Sequence, residues 1–179
     1  VIAVSGGKDS SVLLYTLHTL SEELGIDLVA FHLNLGIGDY SRRSEEAFRD
    51  LVDQLGVDYV ILNLEEDLGF TIPRLKRTYR RRSACSICGT VKRYLMNRAA
   101  LSLGADRIAT GHTLDDFVQY VLKEFMVQNW DRLSKLTAVS KSLGRAPPRI
   151  KPLIEVSERE TLAYALSSGI PFHHGESPY

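Results

Sequence analysis

The most constraining feature of this sequence is the glycine-rich segment SGGKDS at residues 5–10, which lies directly between an apolar run and a helical pattern. Residues 1–4 predict a short buried strand, and leucines at helical spacing after Ser10 predict a helix that Gly25 ends. Glycine backbone conformations and the positive end of the following helix both favour an anion at such a turn. The segment therefore predicts a phosphate-binding loop; the alternative is a plain glycine turn with Ser10 as helix N-cap.

The residue types in this phosphate loop suit contact with a phosphate chain and its counter-ion. Its glycines expose backbone N–H groups, its serine hydroxyls donate hydrogen bonds, and its carboxylate can hold Mg²⁺ that bridges phosphates. We therefore expect nucleotide contacts from Ser5, Gly6, Gly7, Lys8, Asp9 and Ser10, with Asp9 as a candidate magnesium ligand.

Apolar runs and helical patterns alternate along most of the chain. The runs at residues 28–33, 58–64 and 107–110 predict strands, and the patterns at residues 45–55, 91–103 and about 114–130 predict helices. This alternation is typical of an α/β fold, with a doubly wound, mostly parallel sheet and helices on both faces. Such a sheet binds its ligand at the carboxyl ends of its strands.

A second polar segment, TGHTLDD at residues 110–116, follows the fourth predicted strand and reaches the same edge of the sheet. Gly111 permits the close approach of a nucleotide. Of the adjacent carboxylates Asp115 and Asp116, one can cap the next helix, and the other can bind Mg²⁺ or move a proton. His112 is as well explained by core packing as by catalysis.

Cys85 and Cys88 are the two cysteines of the chain and form a single C-x-x-C motif. A disulfide scaffold needs more cysteines, so a reducing compartment is expected. The motif alone fits half of a zinc site, a redox pair or two ligands of an iron–sulfur cluster. Further zinc ligands would have to come from the histidines, which are His18, His32, His112, His173 and His174.

Basic residues are segregated although the formal net charge is +0. Two stretches without acidic residues, between Asp67 and Asp106 and between Asp131 and Glu155, hold 9 and 6 of the 22 Lys and Arg residues. This distribution indicates a polyanionic partner rather than a solvated face alone. No run of about 18 apolar residues is present, so no membrane partner is expected.

The phosphate loop differs from the G-x-x-x-x-G-K-[ST] loop of kinases and GTPases and resembles the PP-loop of the N-type ATP pyrophosphatases. The resemblance implies an adenine nucleotide alpha hydrolase-like fold and the use of ATP with Mg²⁺. It also implies cleavage between the α and β phosphates, with AMP passed to an oxygen of the substrate.

The phosphate loop, the spacing to C-x-x-C, the TGHTLDD segment and RIKPL at residues 149–153 together resemble the tRNA 2-thiolation enzymes of the TtcA/TtuA type. The resemblance implies an ATP-dependent tRNA sulfurtransferase that adenylates the 2-oxygen of a pyrimidine and replaces it with sulfur. The catalytic residues it implies are Cys85, Cys88, Lys92 and Asp116, and the further nucleotide-binding residues are His32 and Gly111. Arg80, Arg81 and Arg82 are the expected tRNA contacts.

The family also implies a [4Fe–4S] cluster held by three cysteines, of which Cys85 and Cys88 match the first two. Ser177 stands at the third position, and a hydroxyl is a poor ligand for iron beside thiolates. The sequence therefore leaves open whether a cluster is bound. The other expectations are a sulfur donor, a homodimer and a cytoplasmic location.

We expect residues 1–179 to be a single PP-loop domain that lacks flanking modules. Within it, residues 132–152 predict a flexible basic connection and residues 153–179 a C-terminal helical segment. Two other functions remain open: another PP-loop ligase, lysidine-type or acting on a small molecule, and a nucleotide-binding protein without catalysis.

Overall fold

A parallel sheet forms the centre of the computed structural model, which describes residues 1–140, 142 and 144–175. In this part of the chain the sheet has five strands in the order β3-β2-β1-β4-β5. Every neighbouring pair runs parallel. The strands are β1 (Ile2–Ala3), β2 (Ala30–Asn34), β3 (Tyr59–Asn63), β4 (Ile108–Thr110) and β5 (Arg149–Ile150). This topology confirms the predicted doubly wound α/β fold.

Helices connect the strands and cover the sheet. They are α1 (Lys8–Thr19), α2 (Ser21–Leu24), α3 (Gly38–Leu55), α4 (Leu64–Leu68), α5 (Ile72–Thr78), α6 (Ala84–Ser102), α7 (Leu114–Met126), α8 (Trp130–Leu133) and α9 (Glu158–Ser167). In the described residues, no helix is long and apolar enough to cross a bilayer.

Two apolar clusters lie on opposite faces of the sheet. One packs α1, α3 and α9 against β1 and β2, and Leu13 and Phe48 are fully buried in it. The other packs α4, α5 and α6 beneath the residues that follow β2, with Ile72 at 0% exposure. Successive residues of β3, Ile61 and Leu62, contact different clusters because side chains alternate across a strand. The alternation explains why the sheet needs helices on both faces.

Three differences from the sequence prediction affect the site. β5 lies within residues 132–152, which the sequence predicted as a flexible connection, and its two residues join the sheet beside β4. Such a short strand directly after Pro147 and Pro148 is too brief to show a period. The helix predicted to reach residue 130 ends at Met126, where Gln128 has a φ of 55° and separates α7 from α8. The short helices α4 and α5 were not predicted.

Candidate active site

The two polar segments meet at the carboxyl edge of the sheet because β1 and β4 are neighbours. Ala3 pairs with Thr110, so the phosphate loop and residues 110–116 leave the sheet side by side. A Cβ atom added to Gly111 would lie 2.8 Å from the backbone nitrogen of Ser10 and 3.0 Å from the carbonyl carbon of Asp9. The segments therefore pack backbone against backbone, and only glycine fits at position 111.

The phosphate loop is held open by its own serines. Ser10 is buried, and its Oγ accepts from the backbone N–H of Ser5 and donates to the carbonyl of Gly7, both at 3.0 Å. Gly6 has a φ of +84°, and a Cβ there would overlap the carbonyl of Ser44 on α3. Gly7 is the N-cap of α1 and provides no side-chain acceptor. The first N–H groups of α1 therefore remain available to an anion.

A cleft of about 370 Å³ opens over this edge. The phosphate loop forms one end, and β2, α3, α6 and the β4–α7 connection form the walls. The wall residues with polar side chains or close backbone contacts include His32, Ser44, Lys92, Gly111, His112 and Asp116. The structure thus places most of the predicted nucleotide-binding residues around one space, with Lys92 facing them.

His32 contributes a buried hydrogen-bond acceptor to the cleft. Its Nδ1 lies 2.9 Å from the carbonyl of Val4, to which it must donate, and its ring stacks on Phe48 with centroids 4.9 Å apart. Burial lowers the pKa of His32 and keeps the ring neutral. Nε2 consequently carries a lone pair, and it has no partner among the described residues. The Oγ of Ser44 on the same wall is likewise unpartnered, and such buried polar atoms call for a ligand or water.

Both carboxylates after β4 cap helices. Asp116 forms a capping box with Thr113, whose N–H donates to Oδ2 of Asp116 at 3.0 Å. Asp115 accepts from the backbone N–H of Glu158 at 2.7 Å and so holds the first turn of α9. From the sequence, capping was expected of one carboxylate only. Asp116 also lines the cleft, and its capping bonds from Thr113 go to Oδ2 alone.

Lys8 and Asp9 are engaged with each other and with α9. Nζ of Lys8 lies 3.0 and 2.9 Å from the oxygens of Asp9 and 3.3 Å from Glu158. Burial lowers the pKa of Lys8, but the two carboxylates outweigh burial and raise it overall. The hydroxyl of Thr161 donates to Asp9. The carboxylate of Asp9 therefore already has two side-chain partners, Lys8 and Thr161. Magnesium binding by Asp9 stays a prediction.

The cysteine pair lies one helical turn from the cleft. Cys85 is exposed and Cys88 is buried in the first turns of α6, whose N-cap Ser83 accepts from the backbone N–H of Ser86 at 3.2 Å. Burial raises the pKa of the Cys88 thiol, while the positive charge of Lys92 opposes that shift. Lys92 therefore connects the thiol to the cleft that it lines.

The identity of the fold family follows from a match along nearly the whole sequence. A family model described as the PP-loop domain (ATP_bind_3) matches residues 1–178. The chain belongs to the PP-loop domain family. The phosphate loop of the cleft is accordingly its PP-loop.

Named proteins and a solved structure are similar to this chain over most of its length. The chain is 41% identical over 179 residues to the tRNA-5-methyluridine(54) 2-sulfurtransferase of Pyrococcus horikoshii, covering 100% of this chain and 56% of that protein. It is 36% identical over 167 residues to the cytoplasmic tRNA 2-thiolation protein 1 of Drosophila ananassae, covering 92% and 49%. The solved U34-tRNA thiolase NcsA of Methanococcus maripaludis, with its [4Fe–4S] cluster, superposes with a TM-score of 0.85 at 30% identity, covering 99% and 58%.

These comparisons confirm the resemblance to tRNA 2-thiolation enzymes that the motifs predicted. The chain spans about half the length of the curated relatives it matches.

Neither the zinc interpretation nor the cluster interpretation of the cysteine motif finds a complete ligand set in the described residues. Residues 1–140, 142 and 144–175 contain no cluster of three or more His, Cys, Asp or Glu suited to a metal ion. The zinc interpretation, which needs two more ligands, finds none there. Ser177, at the expected third cluster position, lies outside the described residues. Two thiols one turn apart are therefore an incomplete ligand set for a three-cysteine cluster.

The predicted tRNA contacts lie at the entrance to the cysteine helix. Arg80, Arg81 and Arg82 are exposed in the turn between α5 and α6. The ammonium of Lys76 donates to the carbonyls of Arg80 at 3.1 Å and Arg82 at 2.7 Å. The backbone of the turn is thereby fixed while its guanidinium groups stay free for solvent or a polyanion.

Substitution of Gly111 tests the contact between the two halves of the site. Gly111→Ala should force the start of α1 away and weaken ATP binding about tenfold or more, since overpacking of this kind costs about 1–3 kcal/mol. Isothermal titration with ATP measures the effect. Gly25→Ala is the control, because its φ of +60° makes alanine strained while nothing lies within 4 Å. An unchanged ATP affinity in Gly111→Ala would contradict the proposed contact.

The cysteines should differ in reactivity. In Cys88→Ser protein the exposed Cys85 should react quickly with a thiol reagent near pH 7. In Cys85→Ser protein Cys88 should react slowly and accelerate at higher pH, because a raised pKa leaves less thiolate and burial restricts access. Labelling rates between pH 7 and 9, with urea-unfolded protein as control, measure the difference. Equal rates in the folded variants would show that Cys88 is accessible.

Proposed function

We propose that this chain is the catalytic PP-loop domain of an ATP-dependent tRNA sulfurtransferase. The observation that carries the proposal is the cleft that joins the PP-loop to Lys92, with Cys88 one helical turn before that lysine on α6. A PP-loop ligase for a small molecule needs no thiol pair at this position. The names of the relatives support the same activity.

The reaction has two balanced steps. The 2-oxygen of a tRNA pyrimidine attacks the α-phosphorus of ATP, the bond to the β-phosphate breaks, and pyrophosphate leaves. Sulfur at the oxidation level of hydrosulfide then attacks C2, and AMP leaves with the former carbonyl oxygen. The net change is ATP to AMP and pyrophosphate, with oxygen replaced by sulfur in the base.

The residues of the cleft suit distinct parts of these steps. The PP-loop N–H groups and the positive end of α1 hold the leaving pyrophosphate. Nε2 of His32 and Oγ of Ser44 gain their missing hydrogen bonds from the nucleotide. The free oxygen of Asp116 suits Mg²⁺ on the phosphates, and the ammonium of Lys92 stabilises the negative charge that develops on the substrate.

We propose that hydrosulfide, free or released by a protein donor, enters beside Cys85, the exposed thiol, without forming a bond to it, so the oxidation level of the sulfur does not change. Cys88 and Lys92 follow Cys85 at successive turns of α6, and Lys92 lines the cleft. If a cluster is bound, Cys85 and Cys88 would be two of its ligands. Arg80, Arg81 and Arg82 would hold tRNA phosphates beside this entry, and the relatives' names support action in the cytoplasm.

Replacement of two cleft residues tests the activity. Lys92→Met and Asp116→Asn should lower tRNA-dependent release of AMP and pyrophosphate about 10²- to 10⁴-fold, the usual loss when a positioned charge or proton-transfer group is removed. The assay uses reduced, anaerobic, full-length protein with tRNA, and nucleoside analysis detects the thiolated base. Arg107→Met, at the amino end of β4, is the control and should remain active.

Two wild-type results would overturn the proposal. ATP turnover without any stimulation by tRNA would favour a small-molecule ligase. ATP binding without turnover or thiolation would favour a nucleotide-binding protein that has lost catalysis. Iron and sulfide analysis of the same protein determines whether a cluster is bound.

We also propose that the protein forms a homodimer through α7 and α8. Large apolar side chains of these two helices are exposed to solvent: Leu122 is 56%, Phe125 58%, Met126 81% and Trp130 59% exposed. Phe125 and Trp130 pack edge to face, with centroids 5.7 Å apart, so the surface is preformed. A contiguous apolar surface of this kind marks an interface in soluble proteins.

The dimer is tested by sedimentation of the full-length protein. Met126→Lys should convert dimers to monomers, because it places a charge inside the apolar contact. Leu24→Lys, at a similarly exposed leucine on α2, should leave the dimer intact. A monomeric wild-type protein would contradict the proposal and indicate that other parts of the longer chain cover this surface.

A further inference from the structure

A second pocket opens beside the nucleotide cleft, on the side of β5. It has a volume of about 210 Å³ and shares His112 and Asp116 with the cleft. Phe117 and Tyr120, one turn apart on α7, form an aromatic wall, and Leu136 and Ile154 form the opposite apolar wall. Lys151, directly after β5, lies at the rim. We call this space the side pocket; it suits a flat ring with a charged group at its edge.

Positive charges crowd one another beside the side pocket: Lys151 lines it, and Arg149, two residues earlier, acts on Lys151 electrostatically. Arg149 and Lys151 are both partly buried. Burial lowers the pKa of Arg149, and the charge of Arg93 lowers it further. Burial and then Arg149 lower the pKa of Lys151. Arg93 itself lies over Gly89, the residue after Cys88, since its guanidinium is 3.4 Å from a Cβ built there. The three cations therefore span the distance from the cysteine helix to the side pocket.

Neutral groups, not carboxylates, hold these cations. Arg149 donates to the side-chain oxygen of Asn97, and Lys151 donates to the carbonyl of Thr137 at 2.6 Å. Among the ion pairs in the described part of the chain, none includes Arg93, Arg149 or Lys151. Burying adjacent like charges costs free energy unless a counter-charge is present. An anionic ligand would supply that counter-charge.

We propose that the side pocket binds one nucleotide of the RNA substrate, with its base against Tyr120 and Phe117 and its phosphate on Arg149 and Lys151. Aromatic side chains accept any unstacked base, and cationic side chains hold its phosphate. The inference rests on the proposed function, and it adds a substrate contact that is separate from the arginine turn at residues 80–82.

The position of the rim distinguishes an RNA phosphate from the phosphates of ATP. ATP phosphates belong at the PP-loop, which follows β1, whereas Arg149 lies on β5, beyond β4 in the sheet. The linings of the side pocket and the cleft share His112 and Asp116, so a base in the side pocket would lie next to the cleft. This nucleotide would therefore fix the strand beside the base that enters the cleft. Such a contact positions the substrate and takes no part in the chemical step.

The test measures tRNA and ATP binding separately in the full-length protein. Lys151→Gln should weaken tRNA binding and reduce the dependence of log Kd on log salt by about 1, the signature of one lost phosphate contact. Tyr120→Ala should weaken tRNA binding about 5- to 100-fold through lost stacking, whereas Tyr120→Phe should retain it. ATP affinity and the melting temperature should stay unchanged in each variant. Arg107→Gln removes the same charge at the opposite edge of the sheet and should leave the salt dependence unaltered.

Each alternative result has a defined meaning. Equal effects of Lys151→Gln and Arg107→Gln would overturn the proposal, because only overall charge would matter. Loss of ATP affinity with tRNA affinity unchanged would assign the rim to the triphosphate and overturn it as well. Equal losses in Tyr120→Ala and Tyr120→Phe would exclude stacking. If wild-type protein bound tRNA through these residues but never thiolated it, the proposed function would fail while this subsite remained.

Discussion

The backbone contact between Gly111 and the Asp9–Ser10 peptide is the constraint on which the site depends. It exists because β1 and β4 are neighbours in the sheet, so the chain crosses from one half of the fold to the other at this point. Doubly wound sheets open a crevice at such a crossover, outside the carboxyl ends of the strands. A side chain at position 111 would separate the halves and disperse the groups that face the crevice. The fold thus determines where a nucleotide binds before any charged residue is considered.

Helix capping then fixes the charged groups around this contact. Asp115 holds the first N–H of α9, and Glu158 on that helix reaches Lys8 of the PP-loop. Thr161, one turn later, donates to Asp9. The C-terminal helix is therefore tied to both halves of the site, although its sequence shows no catalytic motif. Asp116 combines the two roles, with one oxygen in a capping box and a position on the cleft wall. A rigid capping bond orients the other oxygen at little cost in entropy.

The sequence was sufficient where a function is carried by adjacent residues. The PP-loop and the strands before it and before Gly111 depend on local patterns, and the structure contains each of those local elements. The side pocket could not be found in this way, since it joins α7 to β5 across about 30 residues and β5 is only two residues long. The neutral state of His32 could not be predicted from the sequence either, because it follows from burial and from the hydrogen bond to the carbonyl of Val4. Long-range packing produces these features, and no local periodicity of the sequence indicates them.

Basic residues are segregated in this chain of zero net charge, and the cations at different positions of the site have different partners. Lys8 at the PP-loop is compensated by Asp9 and Glu158, so the anion there is left to backbone N–H groups and the dipole of α1. The cations on the opposite side, Arg149 and Lys151, are held by neutral oxygens in the described part of the chain. Dipoles inside a sheltered cleft respond weakly to ionic strength, whereas side-chain cations that displace counter-ions from RNA respond strongly. Under the proposed function, the two polyanions would therefore be recognised by different mechanisms as well as at different positions, with short-range N–H groups for the nucleotide and long-range charge for the nucleic acid.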